Sequence, residues 1–298
     1  MQKPARELGR DQEVECIALA HARASAKKMR KILHISDIHF GCTNAEVVER
    51  LVQAINEMKP DLVVLSGDLT QRAKKKEFAE ARAFLERLPK PQIVVPGNHD
   101  VPLYNVYKRF VRPLKNYTAH ITDDLAPFYA DDEMAVVGIN TARSLTIKDG
   151  RINDEQVETI RQRLDPLGEN VMKVVVTHHP FDLPGGYDED LIINRADEVM
   201  PRIAECGADI FLSGHLHVSH ITNSAHRYRL DSGKSALIIQ AGTAASTRGR
   251  GEANSFNLIE IDRPFLSVKR FECSVPPNGF LLSTDEQFTR TESGWSRM

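Results

Sequence analysis

Residues 31–41 read KILHISDIHFG. Ile32 to Ser36 is an apolar run of strand length that ends in a polar cluster carrying Asp37 and His39. The same grammar returns downstream. Thr43-Asn-Ala-Glu46 reads as a capping box, and Val47, Val48, Leu51, Val52, Ile55 and Met58 come next at helical spacing. Pro60 closes that helix, and Asp61 to Ser66 is a second strand ending in Gly67-Asp68. A helix from about Lys74 to Leu88 carries Phe78, Ala81, Leu85 and Leu88 on one face. Gln92 to Val95 is a third strand, ending in Gly97-Asn98-His99-Asp100. Strand, helix, strand, helix, strand predicts an α/β fold with parallel pairing and right-handed crossovers.

The second half repeats this logic less regularly. Met134 to Asn140, Lys173 to Thr177 and Asp209 to Ser213 read as strands, with helices over Asp154 to Leu164 and Ala196 to Cys206. The strand-like runs Tyr228 to Leu230, Ala236 to Gln240, Phe256 to Ile261 and Phe265 to Phe271 come without helices between them and predict an antiparallel extension closing a second sheet. The expected organisation is a polar N-terminal extension over residues 1–28, a domain over 29–274, and a poorly ordered C-terminal tail over 275–298, rich in Pro, Gly, Ser and Thr.

Composition narrows the function classes. The 298 residues are 41% hydrophobic and 27% charged, an ordinary globular balance. A formal net charge of −2 gives no global basic field to hold nucleic acid. No apolar run approaches the ~20 residues of a membrane helix. Cys16, Cys42, Cys206 and Cys273 form no paired spacing and read as free thiols of a reducing compartment. The start, MQKPARELGRDQEVE, lacks the apolar stretch of a signal peptide, so a cytoplasmic location is the default expectation.

The chemistry is concentrated at the strand ends. Besides the three clusters above, the Lys173 strand ends in His178-His179-Pro180 and the Asp209 strand in Gly214-His215-Leu216-His217. Ligands of open α/β sheets bind at the carboxyl ends of strands. A lone histidine is more often structural than a ligand, but turn and cap roles explain Asp and Gly at five strand ends, not the imidazoles. In DxH and HxH the two side chains share one side of an extended segment, so each pair can serve one cation. Mixed imidazole, carboxylate and amide donors suit Mn, Fe or Zn rather than Mg or Ca alone. Asp37, His39, Asp68, Asn98, His178 (or His179), His215 and His217 are too many for one tetrahedral site, whereas two metals bridged by a carboxylate use them all. His34, His120, His220 and His226 read as structural or solvated. Arg143 and Arg248 could reach a substrate phosphate or base, the second from a loop with Gly249 and Gly251.

DxH, GD, GNHD, a His-x-Pro strand end and GHxH, in that order, resemble the calcineurin-like metallophosphoesterases. SGDLT, VVPGNHD, HHP, GHLH, AGT and NSFNLIEI are similar in particular to the bacterial cyclic-nucleotide phosphodiesterase branch, over about residues 31 to 262. The resemblance implies a four-layer αββα sandwich with a dinuclear metal site at the strand C-terminal ends. One metal would be held by Asp37, His39, Asp68 and His217, the other by Asp68, Asn98, His178 and His215, with Asp68 bridging. His178 rather than His179 matches the family's ligand. His99 would protonate the leaving oxygen, and Asp100 would orient its ring. A water made acidic between two metals about 3.5–4 Å apart would attack phosphorus in line. The implied substrate is a small phosphodiester, most concretely a 3′,5′-cyclic nucleotide. The alternatives are a phosphomonoesterase or nucleotide-sugar pyrophosphatase using the same site, and a non-catalytic metal-site scaffold. His99 stands where lipid-A-pathway pyrophosphatases usually carry Arg, and the intact motif set counts against a scaffold.

Overall fold

The computed structural model describes residues 28–103, 106–143, 149–230, 233, 235–249, 251–274 and 279–298. The expected N-terminal extension lies, but for Lys28, outside the described residues. In chain order, β1 (Arg30–Ile35), α1 (Ala45–Met58), β2 (Leu62–Leu65), α2 (Lys75–Glu86) and β3 (Gln92–Val94) realise the predicted alternation, and β1, β2 and β3 pair in parallel. Short helices α3 (Val106–Val111) and α4 (Lys115–His120) lead to β4 (Phe128–Ala130) and β5 (Met134–Gly138). Next come α5 (Asp154–Leu164), β6 (Met172–Val176), α6 (Ala196–Glu205) and β7 (Ile210–Ser213). The remainder is β8 (His220–Asn223), β9 (Leu237–Gln240), β10 (Ser255–Asp262), β11 (Phe265–Cys273), β12 (Phe280–Thr291) and β13 (Gly294–Arg297).

These strands form two sheets, ordered β13-β12-β11-β10-β1-β2-β3 and β4-β5-β6-β7-β9-β8. Successive side chains of a strand point to opposite faces, and that period sorts the core into layers. On β1, Ile32 points between the sheets while Leu33 and Ile35 point outward; on β2, Leu62 and Val64 point inward, Val63 and Leu65 outward. On β6, Val174 and Val176 meet the other sheet and Val175 faces the helices. Helices α1 and α2 cover the first sheet through Leu51, Ile55, Phe78 and Leu85, and α5 and α6 cover the second through Val157, Ile160, Val199 and Ile203. The fold is therefore a four-layer αββα sandwich. Burial on both faces is why the parallel strands read as unbroken apolar runs.

Four sequence expectations are corrected. The cap of α1 is Asn44, whose side chain accepts from the Glu46 and Val47 amides, while Thr43 forms a β-bridge with Ser246. Tyr228 to Leu230 is not a strand: the Tyr228 amide turns back to the Ser224 carbonyl and its hydroxyl donates to Phe181 O. The runs after β7 do not build one antiparallel extension of the second sheet. β9 joins that sheet parallel to β7, whereas β10 pairs antiparallel with β1 and carries β11 to β13 into the first. The segment expected as a loose tail thus includes two ordered strands. Phe288 and Trp295 lie in the inter-sheet core, and Asn223 donates to the Trp295 carbonyl at 2.8 Å.

Candidate metal centre

The carboxyl ends of the parallel strands from both sheets meet along one rim. The Asp37 amide donates to Gly67 O at 3.1 Å and the His39 amide to Asp68 O at 3.0 Å, joining the loops after β1 and β2. His178, after β6, reaches across the sandwich to Ser66 O at 2.8 Å. The His215 amide, after β7, donates to Asp37 Oδ2 at 2.9 Å. At this rim Asp37, His39, Asp68, His215 and His217 adopt left-handed φ angles of 53°, 56°, 52°, 74° and 61°. Non-glycine residues seldom go there, and such strain clusters where a site dictates side-chain direction. Two glycines are fixed by close approach instead. A Cβ at Gly97 would collide with the Asp68 carboxylate and backbone nitrogen, and one at Gly214 with the Ser36 hydroxyl and the Asp37 carboxylate.

Each buried carboxylate is pinned by one oxygen and presents the other. Asp37 Oδ2 accepts from Ser36 Oγ at 2.6 Å and from the His215 amide; its Oδ1 lies 3.2 Å from His217 Nε2 and 3.6 Å from His39 Nε2. Asp68 Oδ1 accepts from the His99 amide at 2.8 Å, while its Oδ2 lies 3.7 Å from His39 Nε2 and 3.4 Å from His178 Nε2. Asp37, His39, Asp68 and His217 bring their ligand atoms within 4.8 Å of one another. A second group adjoins it: Asn98 Oδ1 is 3.0 Å from His178 Nε2 and 3.1 Å from His215 Nδ1, and those two nitrogens are 3.3 Å apart. Asp68 Oδ2 faces both groups.

Backbone carbonyls set the tautomers, because a carbonyl oxygen only accepts. His178 Nδ1 donates to Ser66 O and His217 Nδ1 to Arg248 O, so Nε2 of each ring turns its lone pair into the cluster. His39 Nε2 and His217 Nε2 face each other at 3.1 Å among carboxylate oxygens. Converging lone pairs repel unless a proton or a cation sits between them, and this donor set suits a borderline transition metal. A protonated imidazole can stand in the place of that cation. Burial works against the charge of both carboxylates, yet His217 holds Asp37, and His178 holds Asp68, below the ordinary carboxylate range. Burial likewise opposes charge on His178, but Asp68 lifts it to about 9.

His179 lies close by, with its ligand atom within 4.8 Å of those of His178 and His215, but its Nδ1 engages the Thr141 hydroxyl at 2.8 Å. His99 stands beside the first group, its ring edge-on to His39 with centroids 4.9 Å apart. Its Nδ1 donates to Gln71 O at 2.9 Å. Asp100 does not orient that ring, contrary to expectation. Its carboxylate accepts from the amides of Leu69, Thr70 and Gly97 and from the Thr70 hydroxyl, tying the loop after β2 to the turn after β3. Burial and the Asp68 charge raise the Asp100 carboxyl to about 6. Gln71 and Ser66 act through carbonyls, which no side-chain motif announces. Arg248 Nη1 reaches His99 Nε2 and Gln71 Oε1, each at 3.3 Å. Arg143 is engaged elsewhere, with Gln156 and the Asn140 carbonyl.

Among the described residues, His34, His120, His220 and His226 belong to neither group. His34 is fully buried against the Ser66 hydroxyl, and burial lowers it to about 3. His120 hydrogen-bonds Asn116 O, and His226 the Thr222 hydroxyl. Among the described residues, no helix is long and apolar enough to cross a membrane.

The profile of the calcineurin-like phosphoesterase family matches residues 30–219. A probable cyclic nucleotide phosphodiesterase of Synechococcus sp. is 25% identical over 201 residues, which cover 64% of this chain and 74% of that protein. A glycerophosphodiester phosphodiesterase of Enterobacter lignolyticus is 29% identical over 167 residues, 51% of this chain and 58% of that protein. Among solved structures, a purple acid phosphatase from yellow lupin seeds superposes with a TM-score of 0.66 at 11% identity, over 88% of this chain and 54% of the other, a likeness of fold.

Proposed function

The chain belongs to the calcineurin-like phosphoesterase family and is a hydrolase acting on phosphoester bonds, and from that premise we propose that it is a dinuclear metal-dependent phosphodiesterase acting on a small diester of the nucleotide class, with a 3′,5′-cyclic nucleotide as the most concrete substrate. The observation that carries this reading is the position of Asp68, whose free oxygen faces His39 of one donor group and His178 of the other. Mn, Fe or Zn ions held by Asp37, His39, Asp68 and His217, and by Asp68, Asn98, His178 and His215, would supply an acidified water and neutralise phosphate charge. Relatives named for cyclic nucleotides and for glycerophosphodiesters favour a diester.

The protein's own part is to orient and to move a proton. The Ser66 and Arg248 carbonyls hold His178 and His217 with Nε2 inward. The Asp100 carboxylate fixes the two loops that carry Asp68, Asn98 and His99 relative to one another. Gln71 O holds the His99 ring by Nδ1, so Nε2 is the nitrogen that faces a leaving oxygen. Protonated at Nε2 as well, His99 then acts as general acid.

The test is leaving-group dependence. General acid catalysis contributes about 10²–10⁴-fold and matters most for a poor leaving anion. His99→Ala is expected to lose a factor in that range on a cyclic nucleotide or alkyl diester and far less on bis(p-nitrophenyl) phosphate, whose nitrophenolate leaves without a proton. Metal content should be unchanged. Equal losses on both substrates would remove the acid assignment, and loss of a metal would make His99 a ligand.

A further inference from the structure

The loop after β9 is stitched to the loop after β1. The Ala244 amide donates to Ser36 O at 3.0 Å, the Asn44 amide to Ala245 O at 3.3 Å, and the Thr247 amide to Cys42 O at 2.9 Å. That stitching delivers Arg248 to the rim with a fixed backbone. Its carbonyl accepts from His217 Nδ1 at 3.2 Å, while its side chain returns over the cluster to His99 and Gln71. One residue therefore touches a donor-group histidine through its backbone and the proposed acid through its side chain.

A guanidinium has five N–H donors and no acceptor, so His99 Nε2 accepts from Arg248 Nη1 in this contact. The same nitrogen is the one a substrate oxygen must approach. Any phosphate oxygen arriving there comes within hydrogen-bond reach of a planar fork whose geometry matches two phosphate oxygens. Gln71 Oε1 accepts from the same Nη1 at 3.3 Å and is a neutral amide oxygen, so this contact leaves the guanidinium charge unpaired there.

We propose that Arg248 is the substrate's anion clamp: it leaves His99 Nε2 for a nonbridging oxygen of the bound phosphodiester, and so grips the phosphate and frees Nε2, which takes up a proton from solvent before giving one to the leaving oxygen. This rests on the phosphodiester reading above for the identity of the substrate, not for the contact itself. Arg248 differs from Arg143 in this respect, since Gln156 and Asn140 hold the latter away from His99.

The experiment compares wild type, Arg248→Ala and Arg248→Lys, all metal-loaded, in diester kinetics and in calorimetric titration with inorganic phosphate. Arg248→Ala should raise KM by about 10–100-fold, the range a charge-assisted hydrogen bond represents, with kcat less affected. Phosphate affinity should fall by a similar factor. Arg248→Lys should recover part of both, because a point charge replaces the fork. Metal content should stay at the wild-type value, since the carbonyl on His217 survives both changes. Wild-type phosphate affinity in Arg248→Ala would overturn the clamp, as would loss of metal from that variant, which would make Arg248 a loop-packing residue. If wild type turned over no diester, the phosphodiester reading would fail, yet the phosphate titrations would still decide the clamp.

Discussion

Asp68→Asn is expected to lower phosphodiester hydrolysis by at least about 100-fold, the upper end of what losing a mere outer partner of a ligand costs, and to empty both metal positions. The substitution is nearly isosteric, so packing does not explain the loss. What changes is charge and lone-pair count at the one oxygen that faces both donor groups, 3.7 Å from His39 Nε2 and 3.4 Å from His178 Nε2. An amide there offers either a neutral oxygen or an N–H that repels a cation. The other oxygen now accepts from the His99 amide at 2.8 Å, so the amide must choose between that contact and the cluster. Elemental analysis alongside the assay separates the cases. Full metal occupancy in the variant would show that Asp68 bridges nothing.

Gly97→Ala should be nearly as damaging from outside the ligand set. Gly97 precedes Asn98 and sits against Asp68, so closely that a methyl group would overlap both that carboxylate and the Asp68 backbone nitrogen. Backbone cannot rotate aside as a side-chain tip can. Overpacking of a well-packed site typically costs about 1–3 kcal/mol, occasionally more, and here the displaced atoms are the ligands themselves. The expected result is a folded protein with a lower melting temperature, depleted metal and activity close to background. A variant with wild-type metal content and activity would mean that the two loops separate freely, against the hydrogen bonds that Asp100 makes to Leu69, Thr70 and Gly97.

The parallel strands were legible because burial on both faces writes them as apolar runs, and the candidate ligands because each run stops at a His, Asp or Asn. Less legible was everything that depends on partners far along the chain. His220 to Asn223 is a half-buried polar edge strand, so it carries no apolar signal. Phe280, Phe288 and Trp295 stand among Ser, Thr and Gly, and only their burial against the sandwich shows that they anchor strands. Whether β10 joins the first or the second sheet is decided by register with β1, Leu33 opposite Leu258 and His34 opposite Asn257, which composition does not encode. At the site, the His-x-Pro and GNHD motifs name side chains, but the Ser66, Gln71 and Arg248 carbonyls that aim three imidazoles are contributions any residue type could make. The role of Asp100 was misread for a related reason: adjacency in sequence suggested a contact with His99, whereas the 3-10 turn over Asn98–Asp100 points its carboxylate back at backbone amides.

In the function proposed here, two adjoining donor groups that share Asp68 hold two metals for phosphodiester hydrolysis. Metal-stripped protein titrated with manganese, with bound metal and bis(p-nitrophenyl) phosphate hydrolysis read on the same samples, tests that arrangement. The predicted result is two equivalents bound per chain, no activity before loading, and activity that keeps rising until the second equivalent is taken up. Saturation at a single equivalent with full activity, or hydrolysis that survives stripping, would contradict it.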